Sequence, residues 1–199
     1  MTLPTWVPAQ ERKPAPPPLL LVQSFVNTWD AETGTDLLAS VHSAEPWLRD
    51  AGLAGPGAVL SPADLQAARE IRESLRALLA HNGGGPPPTD EQRAPLDALA
   101  RAGRPELRVG PDGRILLTPG GSPGTLADGL LGLLLVVRDA QQQGTWPRLK
   151  VCRNPKCRWA FFDRSHARRG AWCDMASCGN MIKNRNFRAR AAGRPTEAK

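Results

Sequence analysis

From Ser61 to Asn82 apolar side chains recur at Leu65, Ala68, Ile71 (or Arg72), Leu75, Leu78 and Leu79, the spacing that lines one face of an α-helix. The ends agree with the pattern: Ser61 is a good N-cap, Pro62 suits the first helical position, and Asp64 sits where it complements the helix dipole. Asn82-Gly83-Gly84-Gly85 and three following prolines stop that helix in a loop, after which Thr89 and Gln92 make a capping-box pair opening a second helix that reaches Ala102. Two short apolar runs then flank Gly110-Pro111-Asp112-Gly113, the pattern of a β-hairpin. From Thr125 to Gln143 the chain is so apolar that it predicts a central buried helix, with Leu130, Leu133, Leu134 and Val137 inside. Towards the N-terminus the pattern predicts a helix over LLLVQSFVNTWD and two short helices over DLLASV and AEPWLRDAG, the latter capped by Ser43 and stopped by Gly52. Gly144-Thr145-Trp146-Pro147 closes this body. The first 18 residues, six of them proline, read as an extended, mobile arm. The fold class expected is therefore α+β and mostly α: an arm over 1–18 and a helical N-terminal domain with one β-hairpin over 19–147.

Charge separates this body from the C-terminal quarter of the chain. The net charge of the whole is +7, but residues 148–199 hold 14 Lys/Arg against 3 Asp/Glu, a net of +11, which leaves the first 147 residues with 12 basic and 16 acidic groups, a net of −4. A mildly acidic body joined to a compact basic tail is the asymmetry of a polyanion-binding module attached to something else. The longest apolar run, Leu130 to Val137, is far shorter than the roughly 20 residues that a bilayer requires, and Leu19 to Val22 is too short for a signal-peptide core, so a cytoplasmic protein with no membrane partner is expected.

All four cysteines lie in the basic tail, as Cys152-x4-Cys157-x15-Cys173-x4-Cys178. Two close pairs separated by a loop of this length let four thiolates surround one Zn²⁺ tetrahedrally. Disulfides would suit an exported chain, and a dithiol redox site prefers two intervening residues; an iron–sulfur cluster and unligated thiols remain as rivals by ligand type. Four protein sulfurs close the coordination sphere, so the metal is expected to be structural, with His166 solvent-facing. Some fifty residues with this charge cannot bury enough apolar surface unaided, and the metal supplies the missing folding free energy, with Trp159, Phe161, Phe162 and Trp172 as a mini-core. The module expected is a four-cysteine zinc finger over 148–192, ending in a basic helix and followed by a tail over 193–199.

Beyond Cys178, a helical reading places Met181, Arg185, Arg188 and Ala192 near one face and Lys183, Asn186 and Arg190 on another, with Phe187 as an anchor to the rest of the protein. The candidate nucleic-acid contacts are Arg164, Arg168 and Arg169 between the cysteine pairs and Asn180, Lys183, Arg185, Arg188 and Arg190 on the helix. Such cations neutralise several phosphates at once, and Asn or Arg side chains reach base edges in a major groove.

The tail resembles the CGNR zinc-finger family of bacterial transcription regulators. The resemblance rests on Trp146 with Arg148-Leu149-Lys150, Cys152 and Cys157, Trp159, Phe162-Asp163-Arg164-Ser165, Trp172-Cys173-Asp174-Met175 and Cys178-Gly179-Asn180. The body is similar to the ABATE domain that precedes this finger, through Phe25-Val26-Asn27-Thr28, Trp47-Leu48 and the hairpin followed by the long apolar helix. Together the likeness runs from Leu19 to about Arg190 and implies a stress-linked regulator. One departure stands out: the family motif continues Cys-Gly-Asn-Arg, whereas here Met181 takes the place of that Arg, so a phosphate or base contact is lost unless Lys183 or Arg185 replaces it.

The leading expectation is a one-component, zinc-dependent DNA-binding regulator, whose N-terminal domain senses an unknown small-molecule effector or makes an interaction; a homodimer would suit palindromic sites. The alternative is an RNA-binding or protein-interaction adaptor in which the zinc knuckle only staples the fold. An enzyme using Asn27, Asp30, His42 and His81 is disfavoured, because no nucleophile–base pair or metal pair occurs at a recognisable spacing.

Overall fold

The computed structural model describes residues 3–121 and 124–191. In chain order the elements are α1 (Leu19–Val26), β1 (Trp29–Asp30), β2 (Thr35–Asp36), α2 (Val41–Asp50), α3 (Pro62–Asn82), α4 (Asp90–Ala102), β3 (Glu106–Val109), β4 (Ile115–Thr118), α5 (Leu126–Gln142), β5 (Leu149–Val151), β6 (Ala160–Phe162) and α6 (Asn180–Ala191). The strands form three separate antiparallel pairs, β1–β2, β3–β4 and β5–β6. The architecture is α+β and mostly helical.

Local chemistry sets most helix starts. Ser61 with Asp64 and Thr89 with Gln92 each form a complete capping box, and Thr125 caps α5 through the Asp128 N–H. For α2 the cap is Ser40, with Ser43 as the reciprocal partner three residues on, so this helix begins earlier than its apolar pattern suggests; Gly52, at φ +70°, follows its end in the left-handed region. Of DLLASV only Val41 is helical, as the first residue of α2. Asp36 pairs in β2 and its carboxylate takes the Leu38 N–H, a local bond that competes with helix. α1 likewise stops at Val26, and Asn27 turns the chain into β1.

The hub of the packing is α3, which touches α1, α2, α4, α5 and β5. The apolar run expected at the centre forms α5, and Leu130, Leu133 and Val137 are buried there, but Leu134, Leu135 and Val136 are only half-buried. Two arginines occupy the stripe of α3 instead of Leu78, which is half-buried. Arg72 makes a bidentate pair with Asp36 (2.6 and 2.9 Å), and Arg76, 1% exposed, donates to the Val26 and Arg158 carbonyls and to Glu73. Guanidinium groups are tolerated at such depth because carboxylates and carbonyls accept from each of their nitrogens.

Two expectations are corrected by the packing. The proline-rich segment is no free arm over its described residues: Val7 and Ala15 lie in the main core, the Trp47 indole donates to the Trp6 carbonyl at 2.8 Å, and the Lys13 carbonyl accepts from the Phe162 N–H at 2.9 Å. Body and finger also do not have separate cores, since Leu149, Val151, Ala160 and Phe162 share one apolar cluster with α1, α3 and α5. The reason is geometric, because β5 and β6 alternate their side chains and one face of that ribbon needs the helices to cover it.

Candidate metal centre and its surroundings

Cys152 follows β5, Cys157 ends the turn before β6, Cys173 precedes a single π-helical turn (Met175–Gly179) that leads into α6, and Cys178 lies within that turn. The turn between the first two cysteines is closed by Asn154, whose carbonyl accepts the N–H groups of Cys157 and Arg158. Asp174 caps the π turn by accepting the Ala176 N–H at 3.0 Å. These two loops bring all four sulfurs within 4.8 Å of one another, with Cys157–Cys173 at 3.6 Å and Cys173–Cys178 at 3.8 Å. A ZnS₄ tetrahedron with 2.3 Å bonds has an S–S edge of about 3.8 Å, so the cluster fits one zinc ion. Three of the sulfur-bearing residues are buried and the four donors are soft thiolates, which suits a structural ion.

The proton chemistry agrees. The Cys157 and Cys173 thiols donate towards the Cys152 sulfur, drawing its pKa down to about 2, while the same crowding pushes the Cys157 and Cys173 thiols well above their ordinary value. Four sulfurs this close cannot all ionise unless a cation sits between them, and a divalent ion reverses the balance by ionising them together. Around the sulfurs, the Asn154 amide donates to Cys178 Sγ at 3.4 Å and lies 3.8 Å from Met181 Sδ. Trp159 and Phe161 pack on the cysteines as expected, with Trp172 alongside, whereas Phe162 belongs to the main core.

The centre is fastened to the body by groups that periodicity does not reveal. Asn27 Oδ1 accepts the Ala160 N–H at 2.7 Å and its Nδ2 donates to the Ala160 carbonyl at 2.9 Å. Gln23 Nε2 donates to the same carbonyl at 3.2 Å, and the Trp159 indole donates to Glu11 Oε2 at 3.1 Å. Burial raises the Glu11 pKa above the usual carboxylate range, against the hydrogen bonds from Lys13, Trp159 and its other neighbours that favour the anion. On the far side of the ribbon Lys150 and Asp163 form a buried ion pair at 2.8 Å. Burial alone would raise the Asp163 pKa, but Lys150, both Ser165 donors and the Gly170 N–H outweigh it and hold the carboxylate well below its ordinary value.

The candidate nucleic-acid residues lie mostly at the surface. Arg164, Arg168 and Arg169 are exposed on the loop after β6, and Arg164 donates to the Pro14 carbonyl at 2.7 Å. Asn180, Lys183 and Arg188 are exposed on α6, Arg185 is half-buried, and the Arg190 side chain lies outside the described residues, as does residue 192. Asn180 spends its amide N–H on the Ala176 carbonyl at 3.2 Å. Phe187 is not an anchor: it is 73% exposed, whereas Ile182 on the same helix is buried. Asn27, Asp30, His42 and His81 fall at the end of α1, in β1, in the first turn of α2 and in the last turn of α3. Among the described residues the four cysteines are the only group of three or more His, Cys, Asp or Glu side chains close enough to share an ion.

Fold and site together define a helical domain that carries a zinc-stapled basic module. Residues 20–142 match the family model for ABATE, described as a "putative stress-induced transcription regulator", and residues 148–191 match the CGNR zinc finger. The chain belongs to the ABATE family and carries a CGNR finger whose four cysteines form a site for one zinc ion. No curated protein matches it. Neither matched family is described as an enzyme, and among the described residues no helix is long and apolar enough to cross a membrane.

Proposed function

We propose that this protein is a zinc-dependent DNA-binding transcription regulator whose finger grips duplex DNA, while its N-terminal domain senses an effector. The observation that carries the reading is the cationic surface of the finger. Arg168, Arg169, Lys183 and Arg188 are exposed, and none has an acidic partner within ion-pair distance among the described residues. Uncompensated charge of this kind is released from mutual repulsion by a polyanion. The zinc ion holds the loop and α6 in one orientation, so the cations act as a surface and not as a string. For the sensing role the support is a recess of about 420 Å³ on the body, lined by Leu21, Leu53, Val136 and the start of α5.

The test is the salt dependence of duplex binding by the zinc-loaded chain. Each phosphate contact adds about −0.9 to the slope of log affinity against log salt, and removing Lys183 or Arg188 flattens it by nearly one unit. Unchanged slopes in all charge-removal variants would refute the reading. One observation favours a second reading: the exposed Phe187 ring beside Lys183 and Arg188 suits stacking on unpaired bases, which tighter binding to single-stranded RNA than to duplex DNA would establish.

A further inference from the structure

Between the turn that ends α3 and the loop after β6 lies a cleft of about 750 Å³, walled on one side by Asn82, Gly83 and Gly84 and on the other by Arg153, Arg168, Arg169 and Trp172. Body and finger each supply one wall. Lys150 lies at its edge, but its charge is already matched by Asp163, so three guanidinium groups remain and no acidic side chain lines the cleft. Arg153 is tied to the Gly83 carbonyl through Nε at 3.0 Å and through a second guanidinium nitrogen, which spans the cleft floor and fixes that cation in place.

The loop carrying the other two cations is built rigidly. Asp163 accepts the Ser165 N–H at 3.0 Å, the Ser165 hydroxyl at 2.7 Å and the Gly170 N–H at 2.7 Å, closing both ends of the segment on one carboxylate. Lys150 Nζ donates to the Arg168 carbonyl at 2.6 Å, and Arg168 itself adopts φ +53°, a conformation that side-chain-bearing residues seldom take. Bonds from Lys150 and to Asp163 thus fix the backbone that carries Arg168 and Arg169, whose own side chains are exposed. Holding like charges together costs energy in the free protein, and an oxyanion with several acceptor oxygens repays it through charge-assisted bidentate bonds.

We propose that this cleft is a binding site for a phosphate ester, with the phosphoryl oxygens on Arg153, Arg168 and Arg169 and the organic part against the half-buried Trp172. The site deepens the polyanion reading of the finger and rests on it for the nature of the ligand, but it is distinct from α6. Because its walls come from both parts of the chain, occupancy braces the finger against the body and thereby ties ligand binding to the orientation of α6.

Isothermal titration of the zinc-loaded full chain with inorganic pyrophosphate, and separately with a 5′-mononucleotide, tests it. Saturable binding at one site is expected, weakened at least about tenfold by the double change Arg168→Ala and Arg169→Ala and unchanged by Lys183→Ala and Arg188→Ala. Zinc content measured in parallel shows that the variants keep their fold. A mononucleotide binding more tightly than pyrophosphate assigns the site to a free phosphorylated effector; displacement of pyrophosphate by duplex DNA assigns it to the nucleic-acid backbone, and both support the site. No saturable uptake of either probe, or equal affinity in both variant pairs, overturns it. Loss of DNA binding with pyrophosphate binding retained would sink the regulator reading and leave this one standing.

Discussion

The side chain of Asn27 pairs with both backbone groups of Ala160, taking its N–H at 2.7 Å and giving to its carbonyl at 2.9 Å, as a neighbouring strand would. One amide at the end of α1 thus extends the β5–β6 ribbon of the zinc module and joins it to the body. The same amide nitrogen lies 3.4 Å from Glu11 Oε2, so the N-terminal segment closes over the joint.

Replacing Asn27 by Ala orphans the buried Ala160 N–H and should cost about 2–4 kcal/mol, read as a lower denaturant midpoint at unchanged slope. Asn27→Asp keeps the acceptor but sets a second carboxylate against Glu11. Its deficit should therefore be larger at pH 7.5 than at pH 5.5.

Zinc removal should destabilise the whole chain and not the finger alone, because β5 and β6 lie in the common core. Elemental analysis should give one zinc per chain. A strong chelator, or Cys178→Ser, should lower a single thermal transition by at least about 10 °C, since the loss of several kcal/mol shifts a chain of this size by a few degrees each. Two separate transitions, with the body unmoved, would contradict the shared core.

Ending the chain at Pro147 should abolish cooperative melting of the body. The truncation uncovers the faces of α1 and α3 that the ribbon packs against, and it removes the Ala160 groups that Asn27 and Gln23 bond. Calorimetry of residues 1–147 checks this, and a sharp transition near that of the full chain would exclude it.

Lys150→Met should cost about 3–5 kcal/mol at neutral pH, because it strands the Asp163 carboxylate, only 3% exposed, without its cation. In the intact protein the Asp163 pKa lies below that of the unfolded chain, so its contribution to stability is complete above pH about 4 and is lost as pH falls through the lower folded value. In the variant the pKa rises, and its deficit should shrink as pH falls from neutral towards about 4. A deficit that grows with acid would argue against the pair.

Met181→Arg restores the cation of the family motif on an exposed position of α6. Duplex affinity should rise and the salt slope should steepen by up to about one unit, as measured by titration at several salt concentrations. Unaltered affinity would mean that the first turn of α6 faces away from the nucleic acid.

Sequence by itself determined the parts that depend on neighbours a few residues apart. The capping boxes at Ser61 and Thr89, the β3–β4 hairpin around Gly110-Pro111-Asp112-Gly113, and the four-cysteine spacing all act over one turn or one loop, and each is where its pattern places it. Tertiary structure alone decided which surfaces these elements share. Arg76 stands outside the apolar pattern, yet it lies buried because the Val26 and Arg158 carbonyls, distant in sequence, take its donors. Phe187 reads as an anchor and stands in solvent, while Ile182 is the buried apolar residue of the same helix. A proline-rich segment reads as loose, yet Glu11 and Ala15 are fixed by Trp159 and Gln23. Periodicity reports which face of an element is apolar, whereas the partner for a polar group is set by where the chain returns in space, and that no local pattern encodes.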